Sequence, residues 1–379
     1  MPWHIVTGEY PPAPGGVADY TRSVARGLAS AGDEVHVWAP AARSELVGDP
    51  GVRLHPLACG FGPRGLLALS REFSRQPRPR RLLLQYVPQA FGLRGMNLPF
   101  CVWVASLRQT QVWVMFHEVL VLWQPRRLRR APLAIATRGM AAVLSCRADR
   151  SFVSIPSWER LISSFRPRQP RATWLPVPSS VPTDVSPDSV QSVRARLRLA
   201  PETPLVGHFG TYGAGLAPIL RQTALNVLRA DPRRRLLLLG RGGDAFARVL
   251  ASEPVVANRV MATGELAASD VSAHLAACDA LIQPYGDGIS TRRTSAMAGL
   301  ALGIPIATNP GWLTEPIWRE SRGVELAASA DRVADAAEIL LRDPSYAAGV
   351  GERGRLLYRG HFSLEHTVRA LREEPEDTA

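Results

Sequence analysis

QPYGDGISTRRTSAMAGLALGIPIATNPGWLTE, residues 283–315, is the stretch that decides the fold of this chain. An apolar segment precedes it, so a strand is predicted to end at Gln283. A glycine turn around Asp287 follows, then a helix from near Ser290 to Leu302, and then another short strand. Strand, glycine loop, helix and strand in this order form the repeating unit of a parallel sheet covered by helices. The stretch therefore predicts an α/β domain.

The predicted helix would offer a phosphate cradle at its start. A helix that opens on glycine has free backbone N–H groups and the positive end of its dipole there, and both favour a bound anion. The N–H groups expected to serve belong to Gly288, Ile289 and Ser290. Asp287 lies at the rim of this cradle, where a carboxylate can hold a hydroxylated ligand.

Arg292 and Arg293 fall in the first turn of the predicted helix, where the dipole disfavours cations. Such a misfit is tolerated more readily at functional sites, and a bound diphosphate would remove it. The alternative is that one or both side chains point into solvent.

Length and composition limit the class of protein. The 379 residues suggest two domains of ordinary size. No run of about 20 uncharged apolar residues is found, and the first residues, MPWHIVTGEY, lack a signal-peptide pattern. The four cysteines are scattered, which predicts free buried thiols in a reducing compartment. No His, Cys and Asp residues have metal-ligand spacing, so neither a metal nor a cofactor is predicted.

The positive charge is confined to one half of the chain. All 45 basic residues are arginine, which a GC-rich genome would explain. Residues 1–180 contain 23 arginines and 10 acidic residues, whereas residues 181–379 contain 22 and 23. The excess suggests an acidic partner for the first half: a membrane surface, a lipid-diphosphate acceptor or nucleic acid. A nucleic-acid binder would need a recognition module and stacking aromatic residues, and the sequence has neither.

Short apolar runs alternate with helical patterns along both halves. In the first half, strands are predicted at 3–6, 34–38, 82–86, 112–116, 151–155 and 173–177, with helices at 17–31 and 131–146. A linker rich in Pro and Ser, residues 176–187, precedes a second series with strands at 205–209, 236–239, 260–263, 281–283 and 305–308. This alternation predicts two doubly wound sheets, in which ligands bind at the carboxyl ends of the strands.

The stretch from Asp287 onward resembles the nucleotide-sugar-binding segment of the retaining family-4 (group 1) glycosyltransferases. The family pattern is an acid, seven residues, a second acid, Ala-Met-Ala, a Gly-x-Pro turn and a later Gly and Glu. Asp287 stands at the first acid, and Ser295 stands where the second acid is expected. The remaining matches are Ala296, Met297, Ala298, Gly303, Pro305, Gly311 and Glu315.

The resemblance implies the GT-B fold, with two doubly wound Rossmann-like domains facing an interdomain cleft. The expected division is an acceptor-side domain at 1–182, a nucleotide-sugar-binding domain at 183–352 and a helix at 353–379 that crosses back to the first domain. It also implies a nucleotide diphospho-sugar donor, with Asp287 on the donor sugar and residue 295 on the nucleotide ribose. A serine there can still hydrogen-bond a ribose, but without a charge.

The resemblance implies further donor-binding residues by position. Gly15 and Gly16 match the loop that meets the donor diphosphate, and His117 matches a histidine that contacts the donor sugar. For His117 the alternative is a satisfied core histidine. Thr211 lies in GHFGTYG, where the family often has a Gly-Arg or Gly-Thr turn followed by Lys-Gly, and that phosphate-binding lysine is missing here. Arg241 is either a replacement cation or a solvated loop residue.

The resemblance implies a metal-independent, hexosyltransferase-like enzyme that retains anomeric configuration and acts in cell-surface polysaccharide or glycolipid assembly. His117 and Asp287 are its predicted catalytic residues. The alternative is a non-catalytic donor-binding or partner-binding subunit, which the missing second acid and the missing lysine favour.

The segment that follows His117 in the chain is predicted to face the acceptor or the membrane. VLVLWQPRRLRR, residues 119–130, combines apolar side chains with arginines, which suits an anionic membrane surface and a lipid-linked or glycan acceptor. The residues of this side are Glu118, Trp123, Arg126, Arg127, Arg129 and Arg130, with a second cluster at Arg78, Arg80 and Arg81. The alternative is that the apolar groups pack inward. A cytoplasmic enzyme, peripheral on the inner face of the membrane, is expected.

Overall fold

The protein forms two compact units. The structure, a computed structural model, describes residues 1–41, 47–120, 131–167, 170–254 and 256–373. Within these, unit 1 comprises residues 1–176 and 364–373, and unit 2 comprises Val177–Ser363. The division falls inside the predicted linker, because Leu175 N–H donates to Val153 O of unit 1 whereas Val177 N–H donates to Thr291 O of unit 2.

Unit 1 is built on a parallel sheet flanked by helices. Its strands are β1 (Trp3–Thr7), β2 (Val35–Pro40), β3 (Val52–Leu57), β4 (Arg80–Tyr86), β5 (Thr110–Phe116), β6 (Arg150–Val153) and β7 (Thr173–Trp174). Its first helices are α1 (Gly16–Ser30), α2 (Pro63–Ser74), α3 (Leu98–Ser106), α4 (Ala131–Arg147) and α5 (Ser157–Phe165).

The strand order in unit 1 is doubly wound. Among the described residues, seven parallel strands lie in the order β3-β2-β1-β4-β5-β6-β7, which runs outward from β1 in both directions. The sequence predicts all of them except β3. That edge strand contains Arg53, His55 and Pro56 and is mostly half-buried, so it lacks the continuous apolar run of a buried parallel strand.

Unit 2 repeats the plan. Its strands are β8 (Leu205–Phe209), β9 (Arg235–Leu239), β10 (Val260–Gly264), β11 (Ala280–Gln283), β12 (Ile306–Thr308) and β13 (Glu325–Leu326). Its helices are α6 (Pro187–Arg196), α7 (Ala217–Ala230), α8 (Gly243–Ala251), α9 (Ala268–Ala276), α10 (Thr294–Leu302), α11 (Ile317–Glu320), α12 (Val333–Arg342) and α13 (Pro344–Leu357). The sequence does not predict the two-residue edge strand β13.

The order in which the chain adds strands to the sheet of unit 2 reverses between β8 and β11. The described strands lie in the order β10-β9-β8-β11-β12-β13, so the chain builds outward from β8 to one side and from β11 to the other. The carboxyl ends of two such strands form the topological switch point, where open α/β sheets bind ligands. His208 lies near the end of β8 and Gln283 ends β11.

Helices cover both faces of this sheet. Ile282 of β11 belongs to a buried cluster with α7, α8 and α12, whereas its neighbour Leu281 packs against Gly299 of α10. Successive residues of a strand point to opposite faces, so the two helical layers lie on opposite sides. The predicted α/β class with two Rossmann-like sheets is confirmed.

The last helix, α14 (Leu364–Arg372), lies in unit 1. It packs on α1, where Gly27 leaves room for Val368: a Cβ on Gly27 would lie 2.7 Å from that side chain. Arg372 pairs with Asp33 at 3.1 Å, and Arg150 donates to Glu373 O at 2.6 Å.

No helix of the described ranges is long and apolar enough to cross a membrane. The prediction of four buried thiols is wrong for two of them: Cys101 and Cys278 are buried, but Cys59 and Cys146 are exposed.

Candidate functional site

The loop between β11 and α10 in unit 2 carries half of the predicted donor-binding residues, together with Asp287. Helix α10 begins at Thr294, not near Ser290, so the prediction of its start is wrong. The delay has a tertiary cause: Ile289 N–H donates to Asn309 O at 2.9 Å and is held outside a helix. The phosphate cradle is therefore not a helix N-terminus at 288–290.

Glu315 holds the next part of the loop. Its Oε1 accepts from Thr291 N–H at 3.0 Å and from Thr291 Oγ1 at 2.6 Å, and its Oε2 accepts from Trp318 Nε1 at 2.7 Å. Burial raises the pKa of this carboxyl, and the hydrogen bonds from Thr291 and Trp318 oppose the rise. Glu315, matched by the family pattern, is a structural anchor for the loop.

Gly288 lets the loop approach its neighbour closely. Its φ is +86°, and a Cβ there would lie 2.2 Å from Gly311 N. Leu313 N–H donates to Asp287 O at 3.1 Å from the same neighbouring segment. These two contacts with the 311–313 segment fix the backbone at Asp287 and therefore the direction in which its side chain extends.

Asp287 forms a cluster with both predicted arginines. Its carboxylate accepts from Arg292 at 2.6 Å and also from Arg293, and it is 19% exposed. The Arg293 guanidinium lies 4.7 Å from the ring centre of Tyr285. Both arginines precede α10, and Arg293 is its N-cap, so the argument from the first helical turn is wrong. Asp287 offsets their charge and leaves a cluster of net charge +1.

Ser295 pairs with a phenol at the position of the expected second acid. Its Oγ lies 2.9 Å from Tyr285 Oη. Tyr285 is buried, and burial raises the pKa of its phenol, so both groups are neutral hydroxyls. The pair can donate and accept hydrogen bonds but carries no charge.

The other predicted donor-binding residues of unit 2 differ in burial. Ser290 is fully buried, and its Oγ has no hydrogen-bond partner among the described residues. Thr211 is exposed in the loop after β8. Arg241 pairs with Glu265 at 3.0 Å, and both side chains are more than half exposed, so the pair contributes little and leaves the cation accessible.

In unit 1, the glycine loop before α1 is closed by a carboxylate. Gly15 is the N-cap of α1, and a Cβ there would lie 2.6 Å from Glu9 Oε1. Val17 and Ala18 donate backbone N–H groups to Glu9, while burial raises its pKa. The helix N-terminus beside Gly15 and Gly16 therefore already holds the carboxyl group of Glu9.

His117 follows β5 and is buried. Its Nε2 lies 2.8 Å from Gln85 Oε1, and its ring packs edge-on against Tyr20 with centroids 4.8 Å apart. Burial lowers the pKa of His117 to about 3, so the imidazole is neutral at physiological pH. Glu118 beside it is half-buried. The contact of His117 with a donor sugar stays a prediction.

The predicted membrane side is described only in part. Trp123, Arg126, Arg127, Arg129 and Arg130 lie outside the described residues. The prediction of a second basic cluster on this side is wrong for two of its three arginines. Arg78 is exposed, but Arg80 lies buried against Phe73 and Arg81 lies buried against Trp3 and Trp113, because β4 is an inner strand of the sheet. Those two arginines are not available to a membrane.

Two buried residues at the carboxyl ends of strands in unit 2 are missed by the sequence predictions. His208 and Gln283 lie at the carboxyl ends of β8 and β11, and both are buried. The signal that could have found them is the one used for His117, a polar residue that ends an apolar strand. Trp312, 63% exposed in the loop beside Asp287, is also missed, and no sequence pattern distinguishes it from an ordinary surface aromatic residue.

Comparisons with known proteins agree with this architecture. Residues 15–178 match the family model described as glycosyl transferase 4-like domain. The GDP-mannose-dependent alpha-(1-6)-phosphatidylinositol monomannoside mannosyltransferase of Mycobacterium tuberculosis (strain H37Rv) is 28% identical over 375 residues, which cover 93% of this chain and 92% of the relative.

Solved structures share the fold at lower identity. Sucrose-phosphate synthase from Thermosynechococcus elongatus has a TM-score of 0.70 at 17% identity, covering 98% of this chain and 97% of its own. Anabaena HepE, solved with UDP and glucose, has a TM-score of 0.69 at 14% identity and 98% coverage of both chains. WaaG, a glycosyltransferase involved in lipopolysaccharide biosynthesis, has a TM-score of 0.65 at 16% identity, covering 97% of this chain and 98% of its own.

The match to the family model, the relative aligned along nearly the whole chain and the two doubly wound sheets lead to one conclusion. This chain is similar to the family-4 glycosyltransferases and has the GT-B fold.

Proposed function

We propose that this glycosyltransferase moves a sugar from a nucleotide diphospho-sugar to an acceptor of glycolipid or cell-surface polysaccharide assembly, with retention of anomeric configuration. The observation that carries the proposal is the cluster of Asp287, Arg292 and Arg293. It lies directly after β11, at the end of the sheet where such folds bind ligands. The relative in Mycobacterium tuberculosis is named as GDP-mannose-dependent, which makes GDP-mannose the first donor to test.

The cluster suits departure of a diphosphate. As the anomeric C–O bond breaks, negative charge develops on the leaving phosphate, and cations placed beforehand stabilise it. Arg292 and Arg293 can supply that charge when the donor takes a share of their hydrogen bonds from Asp287. The freed carboxylate oxygens can then accept from sugar hydroxyls. In this scheme two guanidiniums carry out the charge stabilisation, and we propose no role for a metal or cofactor.

His117 is proposed to contact the donor sugar. It is neutral because its burial lowers its pKa to about 3, so it can exchange hydrogen bonds with hydroxyl groups but adds no positive charge beside the reacting carbon. As the acceptor oxygen bonds to the anomeric carbon, its proton passes to the departing diphosphate on the same face of the sugar, so the scheme assigns no side chain as a general base.

A lipid-linked acceptor is the preferred proposal for the second substrate. The relative's name includes a phosphatidylinositol monomannoside acceptor. In unit 1, Leu98 and Val102 of α3 and Ile135 of α4 are exposed apolar side chains on helices that pack together. With the arginine excess of this half, they would suit peripheral attachment to the cytoplasmic face of an anionic membrane.

The proposed function is tested by a transfer assay. Purified protein is incubated with GDP-mannose, UDP-glucose and other nucleotide sugars, each with membrane lipid extract and without it, and sugar transfer and nucleotide release are measured. Lipid-dependent transfer is expected. Binding of a donor without turnover would favour a non-catalytic donor-binding subunit, and failure of every donor to bind would favour a partner-binding subunit. The comparisons give no support for either alternative.

Membrane attachment is tested separately by sedimentation with anionic vesicles. Wild type is expected to bind in a salt-sensitive way. A Val102→Asn and Ile135→Asn double variant, and a variant with Arg126, Arg127, Arg129 and Arg130 changed to Gln, are expected to bind less. If wild type ignores these vesicles at low salt, a soluble acceptor becomes the better proposal.

A further inference from the structure

One hydrogen bond joins His117 to a buried amide of the neighbouring strand. His117 Nε2 lies 2.8 Å from Oε1 of Gln85, which is fully buried near the end of β4. An amide oxygen can only accept, so the hydrogen of this bond belongs to His117 Nε2. Burial lowers the pKa of His117 to about 3, so at physiological pH the ring is neutral and has no second N–H group. Nδ1 of His117 is therefore a lone pair.

The backbone of His117 is held by its neighbours in the sheet. Its N–H donates to Tyr86 O of β4 at 3.1 Å, and its carbonyl accepts from Ser154 Oγ, just after β6, at 3.1 Å. Gln85 directly precedes Tyr86, and β4 pairs in parallel with β5, so its amide reaches the ring from the adjacent strand. Two hydrogen bonds of the backbone and one of the side chain thus determine where the imidazole points.

Tyr20 of α1 restrains the plane of the same ring. The two ring centroids lie 4.8 Å apart at an interplanar angle of 79°, which is an edge-on contact. Tyr20 is buried, and burial raises the pKa of its phenol, so this titratable neighbour is neutral as well. No hydrogen bond from a described residue reaches His117 Nδ1. The ring is fixed in place with one acceptor nitrogen left for a ligand.

Stability does not explain the amide at residue 85. Gln85 follows Leu82, Leu83 and Leu84 in a strand whose residues are all buried. Its Nε2 has no hydrogen-bond partner among the described residues. A buried donor without a partner lowers stability, and an apolar side chain of similar shape would fill the position without that cost. What the amide adds is the oxygen that accepts from His117.

We infer that Gln85 is a positioning residue, whose side-chain oxygen holds His117 in the tautomer with its hydrogen on Nε2 and its lone pair on Nδ1. In this tautomer His117 can accept a hydrogen bond from a hydroxyl group of the donor sugar, but Nδ1 cannot donate one to a phosphate or to the ring oxygen. The inference rests on the proposed function, in which His117 contacts that sugar. It deepens that function by giving the direction of the hydrogen bond and the residue that sets it.

The tautomer is read directly by NMR on the full chain with isotope-labelled histidine. Couplings between the ring hydrogens and nitrogens distinguish a protonated nitrogen from a lone pair, and the signal that disappears in His117→Gln identifies the residue. Between about pH 8 and about pH 5, wild-type His117 is expected to stay neutral with its hydrogen on Nε2. A hydrogen on Nδ1, or an equal mixture of the two tautomers, would overturn the inference without any assay of transfer.

Gln85→Met tests what the oxygen does. Methionine has a similar shape but accepts no strong hydrogen bond, so the His117 ring should lose its fixed tautomer and orientation. With the donor that the transfer assay identifies, kcat/KM is expected to fall about fivefold. If the variant keeps both the His117 signal and the turnover of wild type, Gln85 does not position the ring. A loss of turnover with an unchanged His117 signal would show a purely structural effect and would also overturn the inference.

Gln85→Glu puts the tautomer under the control of pH. At high pH the carboxylate accepts from His117 Nε2 as the amide does, so turnover should stay close to that of wild type. When the pair takes up a proton, either the imidazole becomes charged or the neutral carboxyl group donates to Nε2, and in both cases a hydrogen occupies Nδ1.

Turnover of Gln85→Glu relative to wild type should therefore fall over the pH range in which NMR shows His117 Nδ1 becoming protonated. Dividing by the wild-type value removes the contributions of Tyr20 and Glu118, which are the same in both proteins. A ratio that stays constant while Nδ1 becomes protonated would contradict the requirement for an acceptor at His117.

Gln111→Glu is the matched control. Gln111 lies on β5, the strand that leads to His117, and its Oε1 also accepts a hydrogen bond, from Arg81 Nε at 3.1 Å. It is exposed and lies near the opposite end of the strand, so a carboxylate there should leave the His117 signal and the pH profile as in wild type. Equal shifts in Gln111→Glu and Gln85→Glu would mean that the charge acts at long range, which would overturn the assignment to Gln85.

Failure of this inference can be told apart from failure of the proposed function. Transfer by wild type with a hydrogen on His117 Nδ1 would keep the function and overturn the inference. Absence of transfer from every donor would remove the proposed function, while NMR alone would still establish or refute the positioning of His117 by Gln85.

Discussion

Replacing Asp287 by Asn separates the chemistry of the cluster from its contribution to stability. Asn keeps one oxygen acceptor and nearly the same shape but removes the charge. If Asp287 holds the donor sugar, its loss removes a charge-assisted hydrogen bond of about 1.5–3 kcal/mol, so kcat/KM should fall roughly 10- to 150-fold. GDP affinity should not fall, because Arg292 and Arg293 no longer share their hydrogen bonds with an anionic side chain.

Stability should change modestly. The carboxylate of Asp287 is 19% exposed and the two guanidiniums are 20% and 27% exposed, so solvent screens both ion pairs. We expect the free energy of unfolding to fall by about 1–2 kcal/mol, measured by urea denaturation. Transfer is followed with the donor that the panel identifies, and GDP binding is followed by calorimetry.

Glu338→Gln is the matched control for this experiment. Glu338 is 21% exposed and also pairs with two arginines, Arg234 and Arg342, but it lies on α12. It should lose a similar amount of stability and keep full activity. Near-normal turnover by folded Asp287→Asn would refute the assignment, and so would an equal loss of activity in Glu338→Gln.

Three further predictions follow from the contacts. Arg293→Gln should weaken GDP binding more than guanosine binding, and equal effects on both by calorimetry would contradict a phosphate contact. Glu315→Ala should lower the free energy of unfolding by roughly 3–5 kcal/mol, because it removes the buried carboxylate that accepts hydrogen bonds from Thr291 and Trp318. Glu315→Gln should cost less in urea denaturation. The pKa of His117 is about 3 in the folded protein and ordinarily about 6.5, so the unfolded chain binds a proton at this residue more readily. The free energy of unfolding that this residue contributes is therefore full above pH 6.5. It is lost as pH falls towards 3, by about 1.4 kcal/mol per pH unit at most. The urea midpoint should therefore be lower at pH 5 than at pH 7.5, with a smaller difference in His117→Gln; a wild-type midpoint independent of pH would contradict this.

The buried strands are predictable because their signal is local. A parallel strand covered on both faces reads as a short apolar run, and β4, β5, β8 and β9 all have that form. Edge strands lack the signal, which is why β3 and β13 are missed. The alternation of such runs with helical patterns is enough to predict two doubly wound sheets.

The positions of the site residues along the chain are predictable from local sequence as well. Asp287 and Ser295 can be assigned from a pattern that spans nine residues, and glycines at 286 and 288 mark the turn between them. What the pattern misplaces is the start of α10. Asn309 and Glu315 hold Ile289 and Thr291 in a loop, and they lie 20 and 24 residues further along the chain.

The sequence by itself thus determined the two-sheet fold, the loop after β11 and the positions of Asp287, Arg292 and Arg293 in that loop. Each of these features depends on residues only a few positions apart in the chain. Tertiary structure alone decided that Arg292 and Arg293 bond to Asp287, that Arg80 and Arg81 are buried, and that His208 contacts the backbone carbonyl of Ile282. The last contact forms because β8 and β11 are adjacent at the point where the strand order reverses. Strand order depends on which apolar runs pair across the whole domain, and no local pattern of residues encodes that choice.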